Sequence, residues 1–440
     1  MNYYRKENAT FRGEEPTWAN ACVGDNGSPQ IFEYATGFAS AANVLLDEVI
    51  NHRGIGLPVD VFIYPICFNM RHAVELFLKA AVSHLVQLAH LRAAKIPKFD
   101  IAGSHDLGRI WEYFKANSLT TDKRYALAIE ALEEYVIDIA NVDATGQVFR
   151  YPFDTENRKH LTELALINAV VLKTRFEILE KRLQELNRFN ENLLDEYGWG
   201  SFTTRLSRVQ LMEIAGTLPK RDQWKEPSFD AAKAHLKKEY ELSSNEFSKA
   251  LKIIQERHEM AALIGITVEI PGLSLQVLEI FIDLWSKIHD IEEVKNPPPL
   301  DLDTFSSWNF SDHMEEWHTN RMHCRDALAE ALTPDSLATL RALFYFHREA
   351  PYSEMFDRLL VIYRKEAIAH LAHPAQYRND ALHLLDKTGG LENILNSLNF
   401  LGQHQLLNAL IDRYDLKNYQ DRLLESSEIR KKRLIEFPKT

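Results

Sequence analysis

One stretch constrains this chain more than any other. Residues 60–92 are apolar around most of a helical circumference, with Val61, Phe62, Ile66, Phe68, Val74, Leu76, Phe77, Leu78, Val82 and Leu85 leaving little room for a solvent face. A helix of that kind belongs in the middle of a domain. Yet Arg71, Glu75 and Lys79 recur in it at i, i+4 and i+8, which stacks three charges on one stripe, with Asn69 and His72 beside them. Burying an unpaired charge is costly, so these groups must be paired, exposed or aimed at a ligand. Two readings follow: a salt-bridge ladder on the one wet face, or a polar pocket inside a helical bundle.

The same helical spacing runs through nearly the whole chain, without alternating strand patterns bounded by turn signals, which predicts an all-α protein. At 440 residues, two or three cores are expected. The first occupies residues 1–197: helices at 30–52, 60–92, 105–117 and 121–141, then a long bracing helix from about 155 to 196, capped by Asp154 and Thr155 and ended by Gly198 and Gly200. Residues 198–228 contain Gly, Pro and Trp without periodicity and read as a linker. A middle helical segment covers 229–296, with Ser243, Ser244 and Glu246 opening a helix in a capping-box pattern. The run Asn296-Pro297-Pro298-Pro299 then connects to a C-terminal helical domain over 303–440, whose helices show no fixed-period repeat.

Charge and cysteine usage narrow the function classes. The chain carries 51 Lys and Arg against 63 Asp and Glu, a net charge of -12, with neither half basic. An evenly acidic surface repels phosphate backbones, so RNA or a nucleotide would have to be held in a local pocket; double-stranded DNA and membrane surfaces are disfavoured as partners. The polar breaks at Arg71, His72, Glu75 and Lys79 argue against a membrane span in residues 59–91. Cys22, Cys67 and Cys324 are widely separated and odd in number, which fits a reducing cytoplasm, and the polar N-terminus lacks the apolar core of an export signal.

No zinc-peptidase, dinucleotide, phosphate-loop or hydrolase-elbow motif occurs, and no metal or cofactor is expected. His313, His318 and His323 are five apart, which turns successive rings ~140° away from one another. Glu366, His370 and His373 do share a helical face; a wet helix end before Pro374 explains them more simply than a metal. Phe229 to His258 has the outline of a helix-turn-helix without the basic stripe of a DNA reader. Arg430-Lys431-Lys432-Arg433 is the one basic cluster, and a solvated helix end accounts for it.

Two further segments bear on the polar stripe. In Gly103-Ser104-His105-Asp106-Leu107, Ser104 is a candidate N-cap with His105 and Asp106 in the first turn. In Phe149-Arg150-Tyr151-Pro152-Phe153, an arginine among aromatics is suited to stacking a base or clamping a phosphate, or to pairing with Glu75. Together with Tyr64-Pro65-Ile66-Cys67-Phe68-Asn69-Met70-Arg71-His72-Ala73-Val74-Glu75-Leu76-Phe77-Leu78-Lys79, and Ser104-His105-Asp106-Leu107 leading into Trp111, this succession resembles the HEPN superfamily over roughly residues 30–196. The resemblance implies an up-down helical bundle that dimerises and acts as an RNA-binding module or metal-independent ribonuclease in bacterial stress, toxin or antiviral defence systems.

The candidate site it implies is Arg71, His72, Glu75, His105 and Arg150. Catalytic members carry Arg, four to six residues, then His; residues 1–197 lack that spacing, and it occurs at Arg341 to His347, Arg364 to His370 and Arg378 to His383. Of these, only Arg378 is followed by an uncharged polar residue, making Arg378, Asn379 and His383 the alternative site. In either, an imidazole would move the proton of a 2'-hydroxyl or leaving oxygen while a guanidinium stabilises the pentavalent phosphate. The competing expectation is a non-catalytic helical interaction protein that uses the bundle as a dimerisation platform and its C-terminal helices to bind a protein partner.

Overall fold

The computed structural model describes residues 8–295, 314–349, 352–419, 423, 437 and 438. The chain is all-α: among these residues it forms seventeen α-helices and no strand, with one isolated bridge between Phe153 and Lys159. The proline run at 296–299, His313, the basic cluster at 430–433 and most of the helix expected over 418–434 lie outside the described residues. Contacts divide the chain into two compact units, residues 1–194 with 435–440, and residues 195–434.

The first unit contains α1 (Ile31–Asn51), α2 (Val59–Leu91), α3 (Leu107–Thr121), α4 (Tyr125–Val142) and, as far as Leu194, α5 (Ala169–Gly198). Helix α2 buries Ile66, Val74, Leu78, Val82 and Leu85, as its all-round apolar character requires. Helix α1 lies along it with Ala35, Ala39 and Ala42 buried at three- and four-residue intervals; such small side chains let two backbones approach closely. Helix α3 packs on α2 and α4 on α3. Trp111, Phe114, Tyr125 and Phe189 form a chain of ring contacts at 5.7, 5.5 and 5.3 Å that ties α5 to α3 and α4, and the Tyr125 hydroxyl donates to Asn190 Oδ1 at 2.7 Å. Each fully buried large apolar side chain contributes about 1.5–3 kcal/mol.

Two helix starts differ from expectation. The long helix begins at Ala169, where Asn168 Oδ1 accepts from the amides of Val170 and Val171, and so spans about 45 Å instead of ~60 Å. Asp154 does not cap it. Its Oδ1 accepts from the amides of Glu156 and Arg158 and closes a tight turn in which Asn157 has φ 60°. A short acidic side chain offers the backbone this local alternative to helix, and the turn won. Helix α3 is capped by Asp106, whose Oδ1 accepts from the Arg109 amide at 3.0 Å, so Ser104 is not the cap and His105 precedes the helix.

In the second unit, residues 198–228 are not a plain connector. They contain α6 (Arg208–Thr217), opened by a capping box of Ser207 and Gln210, which packs with α7 (Pro227–Glu239), α8 (Ser244–Glu256) and α9 (His258–Leu263) around Leu211, Ile214, Phe247 and Ile254. Ser243 and Glu246 form their capping box at the start of α8, but the helix expected over 244–264 breaks at Arg257, which is extended. A second core, around Phe281, Trp285, Leu343, Phe346, Leu384 and Leu398, gathers the remaining helices. These are α10 (Leu275–Trp285), α11 (Ile291–Lys295), α12 (Met314–Ala331), α13 (Pro334–Glu349), α14 (Ser353–Leu371), α15 (Pro374–Leu385), α16 (Gly390–Phe400) and α17 (His404–Arg413). Residues 229–296 are thus shared between the two cores. Buried Arg208 links them by donating Nε and Nη2 to Glu354 at 3.0 Å each while pairing with Glu259.

Gly272, just before α10, lies against the backbone of the first turn of α13. It has φ 74°, and a Cβ there would lie 2.5 Å from the Asp335 carbonyl carbon and 2.6 Å from the Ser336 nitrogen. Gly272→Ala is expected to destabilise the chain by about 2 kcal/mol or more, read as a lower urea midpoint at unchanged slope.

Candidate functional site

The polar stripe of α2 closes on itself. Arg71 is 3% exposed and Glu75 2%. One Arg71 guanidinium nitrogen pairs with Glu75; Nε donates to the Asp143 carbonyl at 3.2 Å, and Nη2 donates to the carbonyls of Ala144, at 2.7 Å, and His105. Lys79 Nζ lies 2.9 Å from Glu75 Oε1 and donates to the Ala102 carbonyl at 3.4 Å. Burial alone would push the Glu75 carboxyl up, but hydrogen bonds from Lys79, Arg71 and His105 outweigh it and hold the group below the usual carboxylate range. Four of the five N–H donors of Arg71 are committed to protein acceptors and the group is buried, which leaves little for a phosphate.

The loop after α4 is shaped around that guanidinium. Asp143 Oδ1 accepts from the amides of Gly146, Gln147 and Val148 at 2.8, 2.9 and 3.2 Å. Gly146 has φ 78°, and a Cβ there would sit 3.0 Å from Arg71 Nη1, so only glycine lets the backbone lie against the side chain. The contribution of this loop was missed in the sequence; Asp143-Ala144-Thr145-Gly146 carries its signal, an aspartate that turns the chain followed by a glycine able to take positive φ.

Of the five expected site residues, three come together. Arg71 and Glu75 are enclosed, and His105 sits at their edge with Nδ1 2.9 Å from Glu75 Oε1 and its side chain 62% exposed. A carboxylate behind one ring nitrogen orients the imidazole and leaves Nε2 towards water, an arrangement able to shuttle protons. His72 and Arg150 belong to a separate row. The His72 ring meets Phe38 edge-on at 4.5 Å and stacks on Phe68 at 5.8 Å, while Arg150 lies over the rings of Phe68 and Tyr151 at 5.6 and 5.3 Å. Burial lowers the His72 pKa against the pull of Glu75, and the cations Arg71, Lys79 and Arg150 add to the lowering. Arg150 does not pair with Glu75: it is exposed and has no ion-pair partner among the described residues.

Arg150 borders a cleft of about 750 Å³ between the start of α2 and residues 148–167, lined also by Asp60, Tyr64, Tyr151, Lys159 and His160. Lys159 is exposed and makes no ion pair among the described residues, and Tyr64 and Tyr151 are about half exposed. Lys159 and His160 escaped the sequence reading because their segment had been assigned to the long helix.

The alternative site does not assemble. Arg378 and His383 are five residues apart on α15, so their side chains leave the helix ~140° apart. Arg378 lies towards Asp326 of α12 at 3.7 Å, whereas His383 Nε2 meets the Tyr345 hydroxyl of α13 at 2.7 Å; Asn379 is exposed. Glu366 is engaged by Arg341 and His370 by Asp380, and no group of three metal-ligating side chains occurs among the described residues. Helix α2 is long and apolar enough to cross a membrane by length and composition; half of its most apolar window is buried inside the protein. No protein-family model, curated protein or solved structure matches the chain.

Two predictions follow from the closed network. Arg71→Ala removes one of the three side chains that hold Glu75 and the guanidinium donor to three carbonyls, and is expected to cost about 3–5 kcal/mol in chemical denaturation. Because the folded Glu75 pKa is depressed, its stabilisation is present above the ordinary value of 4.5 and is lost as pH falls through the folded value. Glu75→Gln should therefore lower stability at pH 7 and flatten that acid limb in denaturation curves measured from pH 7 to 3.

Proposed function

We propose that the N-terminal unit is a HEPN-like bundle that binds RNA or a nucleotide in the cleft bordered by Arg150 and Lys159. The observation that carries this reading is the pairing of two exposed cations without carboxylate partners with the exposed rings of Tyr64 and Tyr151, on a chain whose net charge is -12. Cations hold phosphates and aromatic faces stack bases, which is how single strands are gripped without a broad basic surface. Asp60 on the same wall repels phosphate and restricts where the strand can run.

A metal-independent cleavage reaction would draw on the exposed imidazole of His105, oriented by Glu75, or on His72 beside Arg150. The imidazole accepts the 2'-hydroxyl proton as that oxygen bonds to phosphorus, the bond from phosphorus to the 5'-oxygen breaks, and the departing oxygen takes a proton from water to leave a 2',3'-cyclic phosphate and a 5'-hydroxyl; at His72 the Arg150 guanidinium stabilises the charge that develops. Arg71 serves such a site only by positioning the His105 segment. A bacterial stress or antiviral role remains what the HEPN resemblance implies.

The enclosure of Arg71, Glu75 and Lys79 favours a second reading, a non-catalytic interaction protein with the bundle as a dimerisation platform. Helix α14 suits the protein-binding part of it, since Val361, Ile362, Ile368 and Leu371 are all more than half exposed.

Fluorescence anisotropy with a short single-stranded RNA separates the two. Binding by the wild type is expected to weaken with salt, and Arg150→Ala and Lys159→Ala should each reduce the log–log salt slope by about 0.7. Absence of RNA binding at low salt would leave the interaction-protein reading. If the bound RNA is cut, His105→Ala should abolish cleavage while retaining binding, whereas a cut that persists would move the chemistry to His72.

A further inference from the structure

Next to the cation-lined cleft lies a second chamber of about 340 Å³ with a different chemistry. Its walls include Cys67 and Met70 of α2, Ile139 and Val142 of α4, and Leu172 and Leu179 of α5. Burial, with Asp143 nearby, pushes the Cys67 thiol up to about 12, so it is a protonated, apolar wall and not a nucleophile. Several polar groups at the margin are engaged by the protein itself. Arg71 is held by Glu75 and carbonyls, Arg175 by Glu134 and Asp138 at 2.8 and 2.7 Å, and Asn168 caps α5. The walls are mainly aliphatic and aromatic carbon, a lining that offers a nucleobase few polar partners in exchange for water and that an alkyl chain fits without any.

The two spaces share a wall. Phe149 lines both, as do Leu164, Leu166 and Ile167, which lie on the segment without helix between the turn at Asp154 and the start of α5. Leu166 is 90% exposed and Leu164 38%, although each borders an apolar space that could receive it. A cationic recess adjoining an apolar one is complementary to a molecule with a charged head and a hydrocarbon tail, and the volume admits a chain of about ten carbons.

We propose that the adjoining chambers bind a straight-chain fatty acid, with its alkyl tail against Cys67, Met70 and Leu172 and its carboxylate at Arg150 and Lys159. The fatty acid shares the cations of the cleft with the RNA reading and occupies a chamber that RNA does not use, so the two ligands compete at the head-group end alone.

Calorimetric titration of the full chain with dodecanoate, below its micellar concentration, tests this. Saturable one-to-one binding is expected. Decanoate should bind about sixteenfold more weakly, a factor of about four for each methylene removed. Arg150→Ala and Lys159→Ala should weaken dodecanoate and leave dodecanol unaffected. Leu172→Trp, which fills the chamber, should abolish dodecanoate binding and keep RNA binding.

No saturable binding to the wild type overturns the proposal, as does affinity independent of chain length, a comparison that needs no variant to fold. A Leu172→Trp protein that melts like the wild type and binds dodecanoate equally well overturns the placement of the tail. Dodecanoate binding without RNA binding counts against the RNA reading alone, and RNA binding without dodecanoate binding against the fatty acid alone.

Discussion

The first unit is organised around a guanidinium in its interior. Arg71 leaves the most buried helix of the bundle and meets Glu75 together with carbonyls from the segments before α3 and after α4. A buried cation is tolerable only when its donors are satisfied and its charge balanced, and here both conditions are met by parts of the chain far apart in sequence. Wherever the helices pack by apolar contact, many near-equivalent side-chain sets would serve. The loops at 103–106 and 143–146 have little apolar surface of their own, and the guanidinium gives them a reason to be where they are.

This arrangement separates charge that holds the fold from charge available to ligands. Arg71 and Lys79 share the Glu75 carboxylate in the interior, whereas Arg150 and Lys159 stand at the mouth of a cleft without carboxylate partners among the described residues. His105 joins the two regimes: its backbone carbonyl belongs to the network and its ring projects outward. The chemistry of the unit is accordingly expected at the rim of the stripe and not within it.

Helical periodicity carried the fold class and most helix limits, because apolar burial is written locally at 3.6-residue spacing. Helix α2 follows its pattern from Val59 to Leu91, and the capping box at Ser243 forms as its residues dictate. The long helix was overextended because Leu161 and Leu164 continue the apolar spacing of α5 backwards. The Asp154 turn and the positive φ of Leu161 keep that segment out of the helix, which starts at Ala169 behind the Asn168 cap. At the site, the three-charge stripe was visible as an anomaly. What satisfies it was not, since three of the acceptors on Arg71 are main-chain oxygens, identical in every residue type. Nor could spacing reveal that Arg150 faces solvent beside Lys159, which depends on the turn between them. Residues 198–228 were misjudged for a related reason: α6 is short, and its apolar face becomes apparent only beside Phe247 and Ile254.

The shared attachment of two loops to one side chain also shapes how the unit breathes. The Leu107 amide, at the start of α3, donates to the Ala144 carbonyl at 2.9 Å, and the amides of Gly146 to Val148 fold back on Asp143. Withdrawal of Arg71 would remove the donor shared by carbonyls of both segments in one event. Hydrogen–deuterium exchange at those four amides should then proceed at a common rate, slower than in the exposed turn at 154–158, as befits one cooperative opening of the bundle's end.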